Sequence, residues 1–173
     1  MHTKEELREQ AKQIRSLLPT EQISVKIVEN LRMVNIYDAA EHIMIFYPLE
    51  HEIDLLPLLY DESKNFYLPK VQGDELLVCP YKKGDELTTS AFGTKEPMTE
   101  PVNPSILNLV LVPALMVDKD FHRLGYGKGF YDRFLLKEEL KALRIVPISS
   151  LLILNELPHD EHDAPIDIIV DEL

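Results

Sequence analysis

Three of the six glycines in this 173-residue chain lie at alternate positions in one short stretch, as Gly125, Gly127 and Gly129. Glycine has no Cβ, so it can adopt a positive φ angle and it lets another group approach the backbone closely. Alternate glycines can therefore turn several backbone N–H groups toward a single anion. Lys128 lies between two of these glycines and Arg123 precedes them, so positive charge is concentrated at the same point. The stretch is typical of a loop that binds phosphate groups.

The segments on either side of this loop predict a strand before it and a helix after it. Residues 107–112 are almost all apolar and end at Pro113, as expected of a strand buried on both faces of a parallel sheet. The pattern after the loop predicts a helix over 130–143, with apolar positions at Phe134, Leu135, Leu140 and Leu143. In open α/β sheets, ligands bind beyond the carboxyl ends of strands, where a loop leads into a helix N-terminus. Asp132 then lies in the first helical turn, where a carboxylate can hold a metal ion that bridges phosphates.

The glycine spacing matches neither of the two common nucleotide-binding motifs. A dinucleotide-binding fingerprint needs glycine at position 130, which is Phe130 here. A P-loop needs glycine at position 122 and serine or threonine at position 129, which are His122 and Gly129. An ordinary glycine-rich turn stays open as an alternative, because a single motif of this kind often occurs without a function.

The composition favours one globular domain over residues 1–173 and argues against two kinds of partner. With 45% hydrophobic and 28% charged residues, the chain is long enough to bury a substantial core. The formal net charge of −12 argues against a nucleic-acid partner. No stretch has the length and apolarity of a membrane span, and the first residues are too polar for a secretory signal. We therefore expect no membrane partner and a cytoplasmic location. Cys79, the only cysteine, lies in an apolar run and is assigned no role.

The N-terminal segment predicts a helix that carries one apolar stripe and one basic stripe. Thr3 and Glu6 form a capping box at its start. Apolar residues recur at helical spacing at Leu7, Ala11, Ile14 and Leu18, and basic residues recur at Lys4, Arg8, Lys12 and Arg15. Two interpretations of the basic stripe stay open. It points Lys4 and Arg8 into a cleft, or it lies in solvent and pairs with acidic residues of the same helix.

The rest of the chain alternates between helical and strand patterns. Further helices are predicted at about 21–33 and 53–60, and further strands at 43–47, 66–68, 76–79, 144–148 and 166–170. This alternation predicts a single three-layer α/β/α domain around a central, mostly parallel, mixed sheet.

Two segments outside these elements are candidates for binding. Residues 81–104 contain two glycines and three prolines among few apolar residues, which predicts a long surface excursion. Such loops often form lids or binding edges, and a segment that only wraps the sheet stays open as the alternative. His159 and His162 lie among acidic residues, and two histidines three positions apart are compatible with a transition-metal site. We favour a plain acidic loop, because no third ligand has a recognised spacing.

The motifs taken together resemble one known family. Val112-Pro113, Asp118 and the run Arg-Leu-Gly-Tyr-Gly-Lys-Gly-Phe-Tyr-Asp-Arg that begins at Arg123 are similar to the signature of 5-formyltetrahydrofolate cyclo-ligases, also called 5,10-methenyltetrahydrofolate synthetases. Weaker similarities follow in order along nearly the whole chain, at Lys4 with Arg8 and at 45–53, 67–70, 92–97 and 157–167. The chain departs from the family pattern at 114–117, at His122 and at 149–151.

The resemblance implies a reaction, its cofactors and a fold. Members of this family join the N5-formyl group of 5-formyltetrahydrofolate to N10, using ATP with Mg²⁺, and give 5,10-methenyltetrahydrofolate, ADP and phosphate. ATP phosphorylates the formyl oxygen, N10 attacks the activated carbon, and phosphate departs. The implied fold is similar to that of the isomerases and coenzyme A transferases. We expect a monomer whose partners are small molecules, a reduced folate and ATP.

The resemblance also implies a role for each matching residue. Lys128 and Arg123 are the expected catalytic residues. The expected ATP-binding residues are Lys4, Arg8, Arg123, Leu124, Gly125, Tyr126, Gly127, Lys128, Gly129, Phe130 and Tyr131. The expected folate-binding residues are Tyr47, Glu52, Tyr126 and Phe130, and the expected magnesium ligands are Asp132 and Asp167. Two other functions stay open: a non-catalytic nucleotide-binding module, and an enzyme similar to sugar-phosphate isomerases or coenzyme A transferases that acts without ATP.

Overall fold

A computed structural model describes residues 1–173, which form eleven strands and four α-helices. The strands are β1 (His42–Met44), β2 (Asn65–Gln72), β3 (Glu75–Tyr81), β4 (Leu87–Thr89), β5 (Lys95–Pro97), β6 (Leu109–Leu111), β7 (Met116–Asp118), β8 (Arg123–Leu124), β9 (Leu143–Pro147), β10 (Ile153–Leu154) and β11 (Ile168–Val170). The helices are α1 (Lys4–Leu17), α2 (Thr20–Arg32), α3 (Asn35–Ala39) and α4 (Phe130–Leu135). Short 3-10 helices occupy Leu56–Tyr60, Pro104–Ile106 and Ser150–Leu152. No helix combines the length and the apolarity needed to cross a membrane.

The central sheet has six strands in the order β11-β9-β6-β1-β2-β3. Every neighbouring pair is parallel except β2 and β3, which form an antiparallel hairpin. Gly73 turns this hairpin with a φ of 60°, a conformation that glycine adopts without strain. The predicted α/β fold with a mostly parallel, mixed sheet is therefore confirmed.

Helices cover the sheet on both faces because successive strand side chains point to opposite sides. Ile43 and Leu109 belong to one hydrophobic core together with residues of α2 and α3. Met44 and Val110, their neighbours in β1 and β6, belong to a second core together with residues of α1 and α4. The chain thus forms three layers, with the sheet between two helical layers.

The strand that leads toward the glycine loop is buried on both sides, as its sequence predicts. All three residues of β6 are fully buried, and the strand lies between β1 and β9. Val112 extends it by donating its N–H to the carbonyl oxygen of Ile145 at 2.8 Å. Pro113 follows immediately, at the carboxyl edge of the sheet.

Two predicted helices are shorter than expected. The helix predicted over 130–143 ends at Leu135, because a turn in which Leu140 donates its N–H to the Lys137 carbonyl brings Leu140 into the core without helical spacing. Leu143, placed in that helix by its periodicity, instead begins β9 and is 41% exposed. The helix predicted over 53–60 is a 3-10 helix at Leu56–Tyr60 with proline in its first turn.

Two smaller sheets were not predicted. β10, β7 and β8 form a three-stranded sheet, and β4 and β5 form a hairpin within the excursion over residues 81–104. Their strands contain only two or three residues. Such short strands show no alternation of apolar and polar residues that a periodicity argument can detect.

Candidate active site

One cavity of about 530 Å³ brings together nearly all of the predicted site residues. It lies at the carboxyl edge of the sheet, between the start of α1, the segment after β1, the β4–β5 hairpin and the glycine loop. Every residue expected to bind ATP or folate lines it, together with Asp132; these are Lys4, Arg8, Tyr47, Glu52 and the continuous run from Arg123 to Asp132. Asp167 is the only predicted site residue that does not line the cavity.

The glycine loop has the backbone geometry that its spacing predicts, although the three glycines serve different purposes. Gly127 and Gly129 have φ angles of 104° and 73°, in the region that favours glycine. Gly125 is needed for space, because a Cβ there would lie 2.8 Å from Nη1 of Arg123. None of the five backbone N–H groups from Gly125 to Gly129 donates a hydrogen bond to another protein atom. These five N–H groups thus have no partner within the protein, and the residues that carry them line the cavity.

Arg123 lies beneath this loop and is tied to its surroundings. Its side chain is buried; Nη1 donates to the carbonyl oxygen of Pro113 at 2.8 Å, and Nη2 lies 3.3 Å from Oδ1 of Asp132. Its Nε is the one buried side-chain polar atom without a hydrogen-bond partner. Arg123 thus joins the segment after β6 to α4, and its Nε has no partner within the protein.

Lys128 is the free cation of the loop. It is exposed and forms no ion pair, and its Nζ lies 4.9 Å from the centre of the Phe92 ring. Phe92, from the turn of the β4–β5 hairpin, also packs edge-on against Phe130, with ring centres 5.7 Å apart. A cation–π contact of this kind orients an ammonium group without neutralising it. The predicted binding edge in residues 81–104 therefore does contact the loop.

The basic stripe of α1 is divided between the cavity and the interior. Lys4 forms ion pairs with Asp163 at 2.9 Å and Asp160 at 3.1 Å, and Nε of Arg8 donates to the carbonyl oxygen of Gly125 at 2.9 Å. Burial lowers the pKa of Lys4, but its hydrogen bonds to Asp163 and Asp160 outweigh that effect, so the pKa lies above its usual value. Lys4 and Arg8 thus line the cavity, as the cleft interpretation expects, while Arg8 also forms an ion pair with Glu5 of its own helix, as the solvent interpretation expects.

The other two basic residues of the stripe differ from each other. Lys12 is exposed and lies 3.8 Å from Glu9, as the solvent interpretation expects. Arg15 is buried, and its Nη1 donates to the hydroxyl of Tyr126 at 2.8 Å. Helical periodicity could not separate these two side chains, because the polar partners of Arg15 are His51 and Tyr126, which lie 36 and 111 positions away in sequence.

Glu52 presents a buried carboxylate to the cavity. Its Oε1 accepts the N–H of Leu49 at 2.7 Å, and its Oε2 accepts the hydroxyl of Tyr126 at 2.8 Å. Burial raises the pKa of Glu52 above its usual value, while these hydrogen bonds and the charge of Arg15 act in the opposite direction. Tyr126, expected to bind ATP and folate, therefore also bonds directly to this carboxylate.

Glu96 is a cavity residue to which the sequence analysis gave no role. It lies in β5, is 6% exposed, and accepts the N–H of Val71 at 2.7 Å through Oε2. The cavity is also lined there by Phe92, Thr94 and Lys95. The only sequence signal for Glu96 was the weak family similarity at 92–97. This segment shows no helical or strand periodicity that would predict where its side chains point.

The two predicted magnesium ligands lie in different environments. Oδ1 of Asp132 accepts from Arg123 and from the N–H of Ala164 at 3.1 Å, and the residue lines the cavity. The carboxylate of Asp167 accepts the N–H of Arg144 at 2.9 Å, at the amino-terminal end of β9. The structure therefore does not bring Asp167 into the cavity. No group of three or more His, Cys, Asp and Glu side chains is arranged to hold a metal ion.

Comparisons with known proteins agree on one family. Residues 1–172 match the sequence pattern of the 5-formyltetrahydrofolate cyclo-ligase family. A mouse 5-formyltetrahydrofolate cyclo-ligase is 25% identical over 186 residues, covering 96% of this chain and 92% of its own, and a Haemophilus influenzae relative of the same name is 30% identical, covering 76% of each. The solution structure of Aquifex aeolicus 5,10-methenyltetrahydrofolate synthetase is 33% identical and superposes with a TM-score of 0.86, covering 98% of this chain and 89% of its own. The chain belongs to the 5-formyltetrahydrofolate cyclo-ligase family of ligases.

Proposed function

We propose that the protein converts 5-formyltetrahydrofolate into 5,10-methenyltetrahydrofolate, using ATP and Mg²⁺ and releasing ADP and phosphate. The observation that carries this proposal is that five free backbone donors and the unpaired Lys128 share one cavity with the buried carboxylate of Glu52. The first group suits a triphosphate, and the second suits the N–H donors of a pterin ring.

ATP binds through its phosphates at the glycine loop. Free backbone N–H groups between Gly125 and Gly129 donate to phosphate oxygens, and Lys4, Arg8 and the free Nε of Arg123 add positive charge to the same wall. Lys4 exchanges its pairing with Asp160 and Asp163 for a phosphate. This exchange keeps the ammonium hydrogen-bonded in both states.

The chemistry needs positioning rather than a nucleophilic side chain. The formyl oxygen attacks the γ-phosphorus of ATP, and the bond to the β–γ bridging oxygen breaks to release ADP. N10 then attacks the formyl carbon, the carbon–oxygen bond to the phosphoryl group breaks, and N10 loses its proton as phosphate leaves. Phosphoryl transfer is promoted mainly by alignment and charge stabilisation. Lys128, held over Phe92 without a counter-ion, supplies charge to the transferred phosphoryl group.

The reduced folate lies beside the phosphates, with its pterin ring at Glu52. Each carboxylate oxygen has two lone pairs, and each accepts one protein hydrogen bond in the structure, so one acceptor position per oxygen is free for the ring. Tyr47 and Phe130 line the same cavity and provide aromatic surface for the folate.

Magnesium fits this cavity only together with the nucleotide. Mg²⁺ takes oxygen ligands, keeps several waters, and usually binds one or two carboxylates plus substrate phosphates. Asp132 supplies one carboxylate, because its Oδ2 makes no hydrogen bond to the protein. When bound, the ion neutralises charge on the phosphates. The second ligand predicted from the resemblance, Asp167, is left out of the proposal because its carboxylate lies outside the cavity.

The decisive assay mixes the protein with 5-formyltetrahydrofolate, ATP and MgCl₂ and follows the methenyl absorbance together with ADP. We expect one ADP per methenyl product, and no product when ATP or Mg²⁺ is omitted. Product without ATP would favour the isomerase-like alternative. ATP binding without any product would favour a non-catalytic nucleotide-binding module.

A further inference from the structure

Arg15 is a buried cation that the proposed phosphate site does not use. It lies about two turns beyond Arg8 on α1 and is 6% exposed. It forms no ion pair, although a buried charge costs free energy unless polar groups surround it. Its partners are the carbonyl oxygen of His51 at 3.1 Å and the hydroxyl of Tyr126 at 2.8 Å. Both partners are next to Glu52, the first in sequence and the second in space.

The hydrogen-bond directions in this group are fixed by chemistry. A guanidinium group can only donate, so the Tyr126 oxygen accepts from Arg15. The single phenolic proton of Tyr126 then points to Oε2 of Glu52, 2.8 Å away. Without Arg15 the phenol could turn its proton elsewhere, and Glu52 would lose a defined partner.

Arg15 also holds the backbone that carries Glu52. His51 has a φ of 66°, an uncommon conformation for a residue other than glycine, and it persists only where neighbouring contacts support it. Nε of Arg15 binds the carbonyl oxygen of this same residue. One side chain thus contacts both the main chain before Glu52 and the phenol that bonds to its carboxylate.

We propose that Arg15 is a positioning residue for the folate site, which fixes the Glu52 carboxylate through Tyr126 and the His51 carbonyl. This inference rests on the proposed function, since it assumes that Glu52 binds the pterin. Tyr126 belongs to the glycine loop. The same contact therefore aligns the Glu52 carboxylate with the wall of the cavity that binds phosphate.

Electrostatics supports this role. The titratable or charged groups that act on Glu52 are Arg15 from α1 and Tyr126 from the glycine loop, while burial and the charge of Glu52 raise the pKa of Tyr131 in α4. Of these, Arg15 is the cation. Burial raises the pKa of Glu52 and the charge of Arg15 opposes the rise, so Arg15 favours the ionised form of this carboxylate.

The test compares Arg15→Gln, Tyr126→Phe and the double variant by calorimetric titration with 5-formyltetrahydrofolate and, separately, with ATP and Mg²⁺. We expect each single variant to raise the folate Kd about tenfold, the effect of one charge-assisted hydrogen bond, with the ATP Kd changed less than about twofold. The double variant should be no weaker than the weaker single variant, because both changes break one chain of contacts. Lys12→Gln, on the same helix but exposed, is the matched control and should bind folate like wild type.

The pH dependence separates positioning from a general loss of structure. In Arg15→Gln, the pH below which folate affinity falls should move upward, because Glu52 loses a stabilising charge. Arg15→Lys keeps the charge and should restore that pH, though not the full affinity.

Each outcome bears on one claim. If Arg15→Gln fails to fold, Tyr126→Phe still decides, since Tyr126 is 38% exposed and the change removes only a hydroxyl; wild-type folate affinity in Tyr126→Phe would overturn the inference. Fully additive effects in the double variant would also overturn it. Wild-type protein that binds no 5-formyltetrahydrofolate would overturn the proposed function, and the inference with it.

Discussion

At the scale of single residues, the cavity separates side chains that hold the site together from those left free for substrates. Arg123 is tied by two hydrogen bonds, and Glu52 accepts one on each oxygen. Lys128 has no polar partner for its ammonium group. A fixed carboxylate and an unpaired cation in one cavity are consistent with the proposed reaction of a reduced folate with ATP.

Replacing Lys128 by alanine should slow turnover and leave the fold intact. Removing one donor to transition-state charge costs about 3 kcal/mol, which lowers kcat by about two orders of magnitude. The measurement is the methenyl assay with a thermal melt of the same preparation. Lys141→Ala is the control, because this exposed lysine lies in the segment between α4 and β9 and does not line the cavity. A kcat near wild type would remove Lys128 from the mechanism.

Replacing Glu52 by glutamine should weaken folate binding and spare ATP. Hydrogen bonds to a charged group contribute about 1.5–3 kcal/mol, so the folate Kd should rise about tenfold or more. Glu50→Gln, next but one in sequence and exposed, is the matched control. Unchanged folate affinity in Glu52→Gln would show that this carboxylate does not bind the pterin.

The same carboxylate predicts a pH dependence. Protonation of Glu52 removes its acceptor charge, so folate affinity should fall as the pH drops through the pKa of Glu52. Burial raises that pKa, which places the fall above about 4.3, the usual value for glutamate. Folate titrations across pH test this, and the fall should be absent in Glu52→Gln. A fall at or below the usual value would contradict the assignment.

At the scale of secondary-structure elements, local rules predicted α1 well. The Thr3–Glu6 capping box and the buried Leu7 and Ala11 are all present. The helix predicted over 130–143 failed because Leu140 reaches the core from a turn, and helical spacing alone could not reveal that. α4 has only six residues, so the phosphate site depends on the loop amides more than on a helix dipole.

The capping box of α1 has a consequence for the site. Thr3 accepts the N–H of Glu6 at 3.2 Å, immediately before Lys4 and one turn before Arg8. Thr3→Ala should destabilise the protein by about 1 kcal/mol and weaken ATP binding more than folate binding, because the first turn frays. Denaturant melts and separate titrations measure both effects. Ser63→Ala, which removes a hydroxyl without a hydrogen bond, should change neither; equal loss of both affinities in Thr3→Ala would contradict the argument.

At the scale of the whole molecule, an acidic chain concentrates positive charge at one place. The net charge is −12, yet six of the eighteen Lys and Arg residues line the cavity, beside five carboxylates. The cavity is therefore far less acidic than the surface around it, which suits a small anionic ligand. The expectations of one domain, a monomer and a cytoplasmic location stay predictions.

The sequence predicted which residues share this cavity far better than how they contact one another. Glycine spacing identified the loop, and the family resemblance supplied Tyr47 and Glu52, because both signals are local. The bond from Tyr126 to Glu52 joins residues 74 positions apart, and the role of Glu96 depends on a hairpin of three-residue strands. Contacts of this kind arise from chain packing and leave no periodic pattern to detect.

The most direct test of the central claim is a ¹⁵N amide spectrum recorded while a non-hydrolysable ATP analogue and Mg²⁺ are added. The chain has only six glycines, three in the loop and three elsewhere, so the glycine signals can be resolved and compared. We predict large shifts at Gly125, Gly127 and Gly129, with Gly73 and Gly84 unchanged as internal controls. Saturable binding that leaves the three loop glycines unshifted would contradict the account.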